Sequence, residues 1–536
     1  MTVSIYPGRR EAQTGIAIVL FALMSCRLVG AAEQGTRVSI ETGQLQGVVA
    51  GDVTVFKGVP FAAPPVGALR WRAPQPATKW QGLRSAATYG ADCMQEPFPG
   101  DAAPLGVTPA EDCLYANVWV PSQRPDGAKL PVMVWIYGGG FVNGGASPAV
   151  YDGSEFARRG IVLVSFNYRL GHFGFFAHPA LSAEQTGAPL ANYGLLDQIA
   201  ALQWVKRNIG AFGGNAGNVT VFGESAGGMA VHVLLTTPLA RGLVHKAIIQ
   251  SGGGRAGLFD RPLRGGTDSA EDRGVAFGRK QGIEGTDAAA LAKLRALPAA
   301  TLAKGLSMMG MGSDPTYVGG PVADDRIVLG APLQLYASGQ AYNVPVMVGA
   351  TDADIGFVTG RTLDELFAPF GPDALRARAV YDPEGSGNVR VVAARIGGDQ
   401  MMIEPARQVA RVLAGRGQSV YQFRFSYVAE SMRKTWAGAP HATDIPFVFN
   451  TVAARYGKDL TANDAAMGKA AIDYWTSFAK TGRPVAAGHP AWPAYDSRTD
   501  LILDFSNAGP VVVADRWQSR LDLAEGVNKA NEASQP

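Results

Sequence analysis

Two apolar segments constrain the fold of this chain most strongly, because neither alternates between apolar and polar residues. They are LPVMVWIYGGG (130–140) and IVLVSFNYR (161–169). Near-continuous apolar runs of this kind are typical of strands covered on both faces, as in a parallel sheet between layers of helices. Short alternating strands broken by Gly and Asp occupy 38–65 instead. The sequence therefore predicts a large, mostly parallel sheet.

Helical patterns lie between the strand patterns. In NYGLLDQIAALQWVKRNIGAFGG (192–214), apolar residues recur at spacings typical of one helix face. Further strands are predicted at VTVFG (219–223), KAIIQSG (246–252), VPVMVGATDAD (344–354) and YQFRFSY (421–427), and further helices from Ala226, at 287–306 and at 465–482. This alternation predicts a doubly wound α/β fold with helical insertions near 255–340. No linker divides the chain, so residues 33–536 are predicted to form a single domain.

Residues 1–32 resemble an export signal. Arg9 and Arg10 precede an apolar run at 15–24, and small residues suited to cleavage follow. The run is too short for a stable membrane span. We therefore expect removal of residues 1–32 and a periplasmic or secreted protein. Cys26, in LMSC (23–26), leaves lipid attachment as the less favoured alternative.

Charge and cysteine content exclude several classes of function. The formal net charge is +3 in 536 residues, which is too small for a nucleic-acid-binding surface. Beyond the leader only Cys93 and Cys113 remain, and an even number of cysteines in an oxidising compartment favours a disulfide. Neither CxxC nor HExxH occurs, so no metal site is expected.

The segment GESAG (223–227) fits the G-x-S-x-G pattern of a serine nucleophile at a sharp strand-to-helix turn. Glycines on both sides avoid collisions with the strand and the helix, and the positive end of the helix would stabilise a developing oxyanion. Ser225 follows VTVF and opens a run of small residues, which is the required context. We therefore take Ser225 as the candidate nucleophile, against the alternative of an ordinary tight turn.

A serine hydroxyl needs a base, usually histidine, and an acid that orients the histidine. In the order serine, acid, histidine, the histidine comes late in the chain, which leaves His441 and His489. His441 is favoured because its loop enters an apolar segment with Asp444 nearby, whereas His489 lies in a loop flanked by Gly and Pro. The acid is expected at the end of VPVMVGATDAD, where spacing does not separate Asp352 from Asp354.

The segment YGGGF (137–141) directly follows a predicted strand and supplies three successive glycines, whose backbone N–H groups can face a substrate oxygen. This is where the oxyanion loop of lipases and esterases is expected. A phosphate-binding loop fits less well, because no Lys-Ser/Thr follows. Phe141, Phe175 and Phe357 are candidates for the lining of a substrate cavity, and equally for the core.

Several longer motifs accompany these residues. They are VFKGVPFAAPPVGALRWRAP (55–74), EDCLYANVWVP (111–121), VWIYGGGFVNGG (134–145), FNYRLGHFGF (166–175), the 192–214 segment, VTVFGESAGG (219–228) and GAPHATDIPFVF (438–449). Together they resemble the type-B carboxylesterases, which include bacterial p-nitrobenzyl-esterase-like enzymes and the cholinesterases. The resemblance covers residues 35–515 and implies an α/β-hydrolase fold.

The resemblance also assigns roles to individual residues. It implies Ser225, Asp354 and His441 as the catalytic triad, with Asp354 selected over Asp352 by its distance from the preceding strand end. It further implies Gly139, Gly140 and the amide of Ala226 as the oxyanion hole, Glu224 and Ser251 as neighbours of the triad, and Cys93–Cys113 as a disulfide. The family usually has Glu followed by Gly where this chain has Asp354 followed by Ile355.

The function implied is hydrolysis of a small-molecule carboxylic ester to acid and alcohol through an acyl-enzyme, with no metal or organic cofactor. A monomer or homodimer without nucleic-acid partners is expected. Two other functions are considered: hydrolysis of amides, lactones or thioesters, and a binding protein of the same fold. The second is disfavoured, because family members without activity usually lack the serine or histidine that this chain retains.

Overall fold

The computed structural model describes residues 1–4, 36–98, 100–125, 127–257, 259–266, 268–308, 310 and 313–534. The predicted export signal, including Cys26, therefore lies almost entirely outside the described residues and stays a prediction. Within these ranges, every helix is too short or too polar to traverse a bilayer.

The strands form one large sheet and two small ones. In chain order they are β1 (Arg37–Ile40), β2 (Gly43–Gln46), β3 (Val48–Ala50), β4 (Val53–Pro60), β5 (Leu83–Ser85), β6 (Tyr115–Pro121), β7 (Leu130–Ile136), β8 (Val162–Phe166), β9 (Phe175–Phe176), β10 (Ala191–Asn192), β11 (Gly214–Glu224), β12 (Lys246–Gln250), β13 (Val346–Thr351), β14 (Val420–Phe425), β15 (Leu501–Ser506) and β16 (Gly509–Ala514). The 11-stranded sheet has the order β16-β15-β14-β13-β12-β11-β7-β8-β6-β4-β3, while β1-β2-β5 and β9-β10 form the small sheets.

The predicted parallel sheet is confirmed for the centre of the large sheet, from β8 through β15. Its two edges are antiparallel, so the whole sheet is mixed. The reason is local at the β3–β4 edge, where only residues 51–52 connect the strands. A connection that short forms a hairpin and leaves no room for the crossover that parallel pairing needs.

Helices cover the sheet and fill the connections between its strands. In the described residues the α-helices are Ser154–Arg158, Gly171–Gly174, Pro179–Glu184, Tyr193–Asn208, Ala226–Thr236, Ala270–Lys280, Ala288–Arg295, Ala299–Ala303, Pro332–Ala337, Leu363–Phe367, Ala374–Tyr381, Val389–Gly398, Glu404–Gly415, Ile445–Val448, Val452–Tyr456, Ala462–Thr481 and Gln518–Ala533. The predicted helical segment at 287–306 is divided in two, because Pro298 disfavours helical backbone at the residue before it. The predicted helix at 465–482 begins earlier, at Ala462, and ends at Thr481. The next residue, Gly482, has left-handed backbone.

The core lies between the central strands and these helices. Trp135 of β7 packs against Phe222 of β11 and against Phe449, with ring centroids about 5 Å apart in both pairs. A separate cluster, which includes Phe370, packs among the helices that follow β13. The disulfide between Cys93 and Cys113 is confirmed, and it lies in the buried core beside β6. Residues at and after the carboxyl ends of the central strands line a cavity with mainly apolar walls.

Candidate active site

Ser225 stands at the corner between β11 and the helix Ala226–Thr236. Its backbone has φ +56° and ψ −125°, a strained conformation for a residue with a side chain. The glycines of the motif make the corner possible: a Cβ on Gly227 would lie 2.0 Å from the carbonyl oxygen of Ile136, and one on Gly223 would lie 2.5 Å from Gly227. The pattern in the sequence is therefore explained by close packing against β7.

The glycine segment after β7 lies directly against this corner. A Cβ on Gly138 would come within 2.9 Å of the Ser225 Cβ. Gly139 and Gly140 both have positive φ, at +96° and +61°, and the Gly139 carbonyl accepts hydrogen bonds from the next turn. In the described part of the chain, no acceptor is bonded to the backbone N–H groups of Gly139, Gly140 or Ala226. Three backbone donors are thus available beside Ser225.

His441 and Asp354 form a tight pair. The distance from His441 Nδ1 to Asp354 Oδ1 is 2.6 Å. The Asp354 carboxylate also accepts hydrogen bonds from Ser251 Oγ at 2.6 Å, from the Thr351 N–H at 3.1 Å and from the Ile355 N–H at 2.8 Å. Burial alone would raise the pKa of Asp354, but the charge of His441 and these hydrogen bonds hold the pKa below its usual value. The group therefore stays ionised and fixes the orientation of the imidazole.

Asp352, the other acid left open by the sequence, makes no hydrogen bond to the imidazole in the described structure. Its Oδ1 accepts a hydrogen bond from the Ala439 N–H at 2.6 Å, and Ala353 N–H donates to the Ala439 carbonyl at 3.0 Å. Burial raises the pKa of Asp352 to about 6. The structure thus places Asp354 against His441 and uses Asp352 to hold the backbone two residues before His441.

Glu224 is buried on the other side of the imidazole, with its Oε1 3.2 Å from His441 Nε2. Burial raises the pKa of Glu224 to about 8, against the attraction of His441. For His441 burial alone would lower the pKa, but the carboxylates of Glu224 and Asp354 together raise it to about 9. Glu224 therefore favours the protonated form of His441, whose Nε2 is the nitrogen that a serine base must use.

Ser225 and His441 line the same cavity, but no hydrogen bond joins them in the described structure. The Nε2 of His441 faces Glu224 instead. Hydrogen bonds of this kind are often long without substrate and tighten only in the complex. The structure therefore shows Ser225 and His441 on the wall of one cavity, without a hydrogen bond between them.

A third buried carboxyl group, that of Asp444, lies close enough to His441 for the two charges to interact. Asp444 accepts a hydrogen bond from Gln250 Nε2 at 2.6 Å, and the Trp475 indole N–H donates to Gln250 Oε1 at 3.2 Å. Burial raises the pKa of Asp444 to about 6. Gln250 was not found from the sequence, although its place next to Ser251 at the end of β12 is a signal that could have indicated it.

The cavity over Ser225 has a volume of about 230 Å³. Its aromatic lining comes from Phe98, Tyr151 and Tyr456. The sequence candidates do not line it: Phe141 and Phe175 are buried against each other with ring centroids 5.1 Å apart, and Phe357 is exposed. The three aromatic residues that do line it come from segments that tertiary packing brings together.

His489 and the earlier histidines lie outside the cavity lining. His232 is fully buried and its Nδ1 lies 2.6 Å from the Tyr336 hydroxyl, while the ring of His178 accepts a hydrogen bond from the Ala180 N–H at 3.2 Å. Burial lowers the pKa of His232 to about 4, so it stays neutral. In the described ranges, no group of three or more His, Cys, Asp or Glu side chains is arranged to hold a metal ion.

These features define the class of protein. A serine on a strained strand-to-helix corner, a neighbouring glycine loop and a histidine–carboxylate pair meet at the carboxyl ends of parallel strands β7, β11 and β13. The fold and the site together are those of an α/β-hydrolase, as the sequence predicted.

Comparison with known proteins identifies the family. The model of the carboxylesterase family matches residues 34–381 and 373–514. Fumonisin B1 esterase of Sphingopyxis macrogoltabida is 34% identical over 485 residues, covering 88% of this chain and 86% of that protein. Para-nitrobenzyl esterase of Bacillus subtilis is 33% identical over 501 residues, covering 87% of this chain and 94% of its own length.

A solved structure of a PNB esterase superimposes with a TM-score of 0.78 at 31% identity, covering 91% of this chain and 99% of that chain. The chain therefore belongs to the carboxylesterase family, a family of hydrolases that act on carboxylic esters. The resemblance inferred from the motifs is confirmed.

Proposed function

We propose that this protein is a serine carboxylesterase that hydrolyses small carboxylic esters to acid and alcohol through an acyl-enzyme intermediate. One observation carries the proposal: Ser225 shares a cavity with His441, whose far nitrogen lies 2.6 Å from the buried carboxylate of Asp354. A nucleophile, a base and a group that orients the base are the parts that acyl transfer to serine requires.

In the acylation step, Ser225 Oγ attacks the ester carbonyl carbon while His441 Nε2 accepts its proton. The carbonyl oxygen becomes an oxyanion, for which the amides of Gly139, Gly140 and Ala226 are the proposed donors. Asp354 stabilises the imidazolium that forms, without itself becoming protonated. Collapse of the tetrahedral intermediate breaks the ester C–O bond, and His441 returns the proton to the departing alcohol.

In the deacylation step, water replaces the alcohol. His441 Nε2 takes a proton from water, the resulting hydroxide attacks the acyl carbon, and Ser225 Oγ leaves with the proton held by His441. The carboxylic acid is released and the site returns to its starting state. The chain's own side chains supply each proton transfer in this scheme.

Substitution of the nucleophile tests the proposal. Ser225→Ala should fold normally and lose hydrolysis of p-nitrophenyl butyrate by a factor on the order of 10⁴ or more. A fluorophosphonate probe should label the wild type at Ser225 and leave Ser225→Ala unlabelled, because only an activated serine reacts. Ser338→Ala, on an exposed helix end, is the matched control and should behave as the wild type. Normal turnover by Ser225→Ala would refute the mechanism.

We also propose that residues 1–32 direct export and are removed. The disulfide between Cys93 and Cys113 supports this proposal, because such bonds persist in oxidising compartments. Amino-terminal sequencing of protein recovered from the periplasm or medium should begin near residue 33. A lipid-modified Cys26 at the amino terminus, detected by mass spectrometry, would replace this proposal with membrane anchoring.

A further inference from the structure

The charges that line the catalytic cavity are distributed unevenly. Glu224 lies deep, next to Ser225, and is buried. Arg455 is exposed and is the only Lys or Arg side chain in the described cavity lining. No hydrogen bond or ion pair within the described residues occupies its guanidinium group. The described lining therefore carries one unpaired cationic group, at the solvent-exposed end of the cavity.

Arg455 is presented by an anchored element. It lies on the helix Val452–Tyr456, in which Val452 is buried in the core. Just before the helix, Thr451 Oγ1 donates a hydrogen bond at 2.7 Å to the carbonyl of Val150, itself part of the cavity wall. The backbone that carries the guanidinium is therefore fixed relative to the cavity, while the guanidinium itself has no partner among the residues that the structure describes.

Asp101 also lines the cavity and lies near enough to Arg455 to feel its charge. One of its carboxylate oxygens already accepts a hydrogen bond from the Ala103 N–H at 2.9 Å. The two side chains do not form an ion pair in the described structure. Asp101 therefore does not neutralise the guanidinium by direct contact.

A guanidinium group binds a carboxylate through two parallel hydrogen bonds, a geometry that a point charge does not offer. A carboxylate on a substrate would be attracted to Arg455, the one Lys or Arg side chain in the described cavity lining. This attraction would orient the substrate, with its ester carbonyl at Ser225 and its carboxylate at the outer end. A neutral ester gains no such orientation from Arg455.

We propose that the preferred substrates are esters that bear a free carboxylate, and that Arg455 binds this carboxylate while the ester lies at Ser225. The inference rests on the proposed esterase function, and it names the substrate class of that same site. The carboxylate can belong to the acyl part or to the alcohol part of the ester.

Two matched pairs of esters show whether the carboxylate is recognised on the acyl part or on the alcohol part of the substrate. On the acyl side, mono-p-nitrophenyl adipate is compared with p-nitrophenyl hexanoate; on the alcohol side, p-carboxyphenyl hexanoate is compared with p-carbamoylphenyl hexanoate. We expect kcat/KM of the wild type to favour the anionic member of one pair. Arg455→Gln should lower kcat/KM for that anionic ester by about tenfold, as the loss of one charge-assisted contact at a solvated site predicts. The neutral partner should change by less than about twofold.

Lys458→Gln is the matched control. Lys458 is exposed, lies three residues beyond Arg455 and does not line the cavity, so this variant makes the same change in net charge. It should leave both members of each pair unchanged. Asp101→Asn should raise kcat/KM for the anionic ester, because it removes a neighbouring negative charge.

The outcomes separate the two proposals. If Ser225→Ala still hydrolyses the neutral esters, the proposed function fails. If the wild type hydrolyses neutral esters but Arg455→Gln lowers both members of each pair equally, or neither, only the substrate inference is overturned. A preference for a cationic choline ester that Asp101→Asn abolishes would overturn it as well.

Discussion

Replacing Glu224 by Gln tests the electrostatics of the site most directly. In the wild type, the Glu224 carboxylate lies 3.2 Å from His441 Nε2 and helps to raise the pKa of His441 to about 9. His441 acts as a base only after it has lost its proton, so kcat/KM should rise with pH as the ring deprotonates. Removing the carboxylate charge should lower the pKa of His441 and move this rise to lower pH.

The size of the shift follows from the geometry. Two unit charges 3.2 Å apart interact by about 5 kcal/mol at an effective dielectric constant of about 20. That energy is an upper limit of about four pKa units, at about 1.4 kcal/mol per unit. The full effect is not available, because burial raises the pKa of Glu224 itself to about 8 and Asp354 continues to act on the ring. We therefore expect a decrease of about one to two pH units.

The assay is kcat/KM for p-nitrophenyl butyrate between about pH 5 and pH 10, followed at the isosbestic wavelength of p-nitrophenol. Asp352→Asn is the matched control, because Asp352 is a half-buried carboxyl that bonds to the same loop and makes no hydrogen bond to the imidazole in the described structure. Its pH profile should stay within about 0.3 units of the wild type. A profile of Glu224→Gln that stays in place or moves to higher pH would refute the electrostatic reasoning.

Three further outcomes are expected. Asp354→Asn should lower kcat for p-nitrophenyl butyrate by a factor on the order of 10⁴, because the imidazole loses the charge that orients it; a loss below about tenfold would contradict the role of Asp354. Gly227→Ala should fail to accumulate as folded protein, since its Cβ would lie 2.0 Å from a backbone oxygen, whereas Gly210→Ala, with no atom near its Cβ, should melt within a few degrees of the wild type. Replacing Cys93 and Cys113 by Ala should lower the free energy of unfolding by about 3 kcal/mol in urea titrations, with kcat/KM at low temperature unchanged.

The sequence predicted the central strands well, because strands that are buried on both faces consist mainly of apolar residues. β7, β8 and β13 fall inside the predicted apolar segments, since a strand covered on both faces needs apolar side chains at successive positions. The antiparallel edge formed by β3, β4 and β6 was not predicted as part of the same sheet. An alternating pattern of apolar and polar residues indicates that one face of a strand is solvated. It does not indicate which neighbouring strand supplies the hydrogen bonds.

The active site, too, was predictable from the sequence only in part. Ser225 and its glycines are a local motif, because the steric demands of one corner are met by residues adjacent in sequence. His441 and Asp354 lie 87 positions apart, and their assignment from spacing alone left Asp352 equally possible until the family motifs were considered. The 2.6 Å contact depends on where β13 ends and where the loop after β14 returns, and neither is a property of a short segment.

What the sequence determined by itself is therefore the doubly wound core, the corner at Ser225 and the family. Tertiary structure alone decided which carboxylates surround His441, that Glu224 lies 3.2 Å from its Nε2, and that Arg455 reaches the cavity without a partner in the described part of the chain. The physical reason is the separation along the chain of the groups that interact. Backbone strain and burial act between neighbours in the chain, whereas pKa shifts and substrate charge selection depend on distances of a few ångströms between groups remote in sequence.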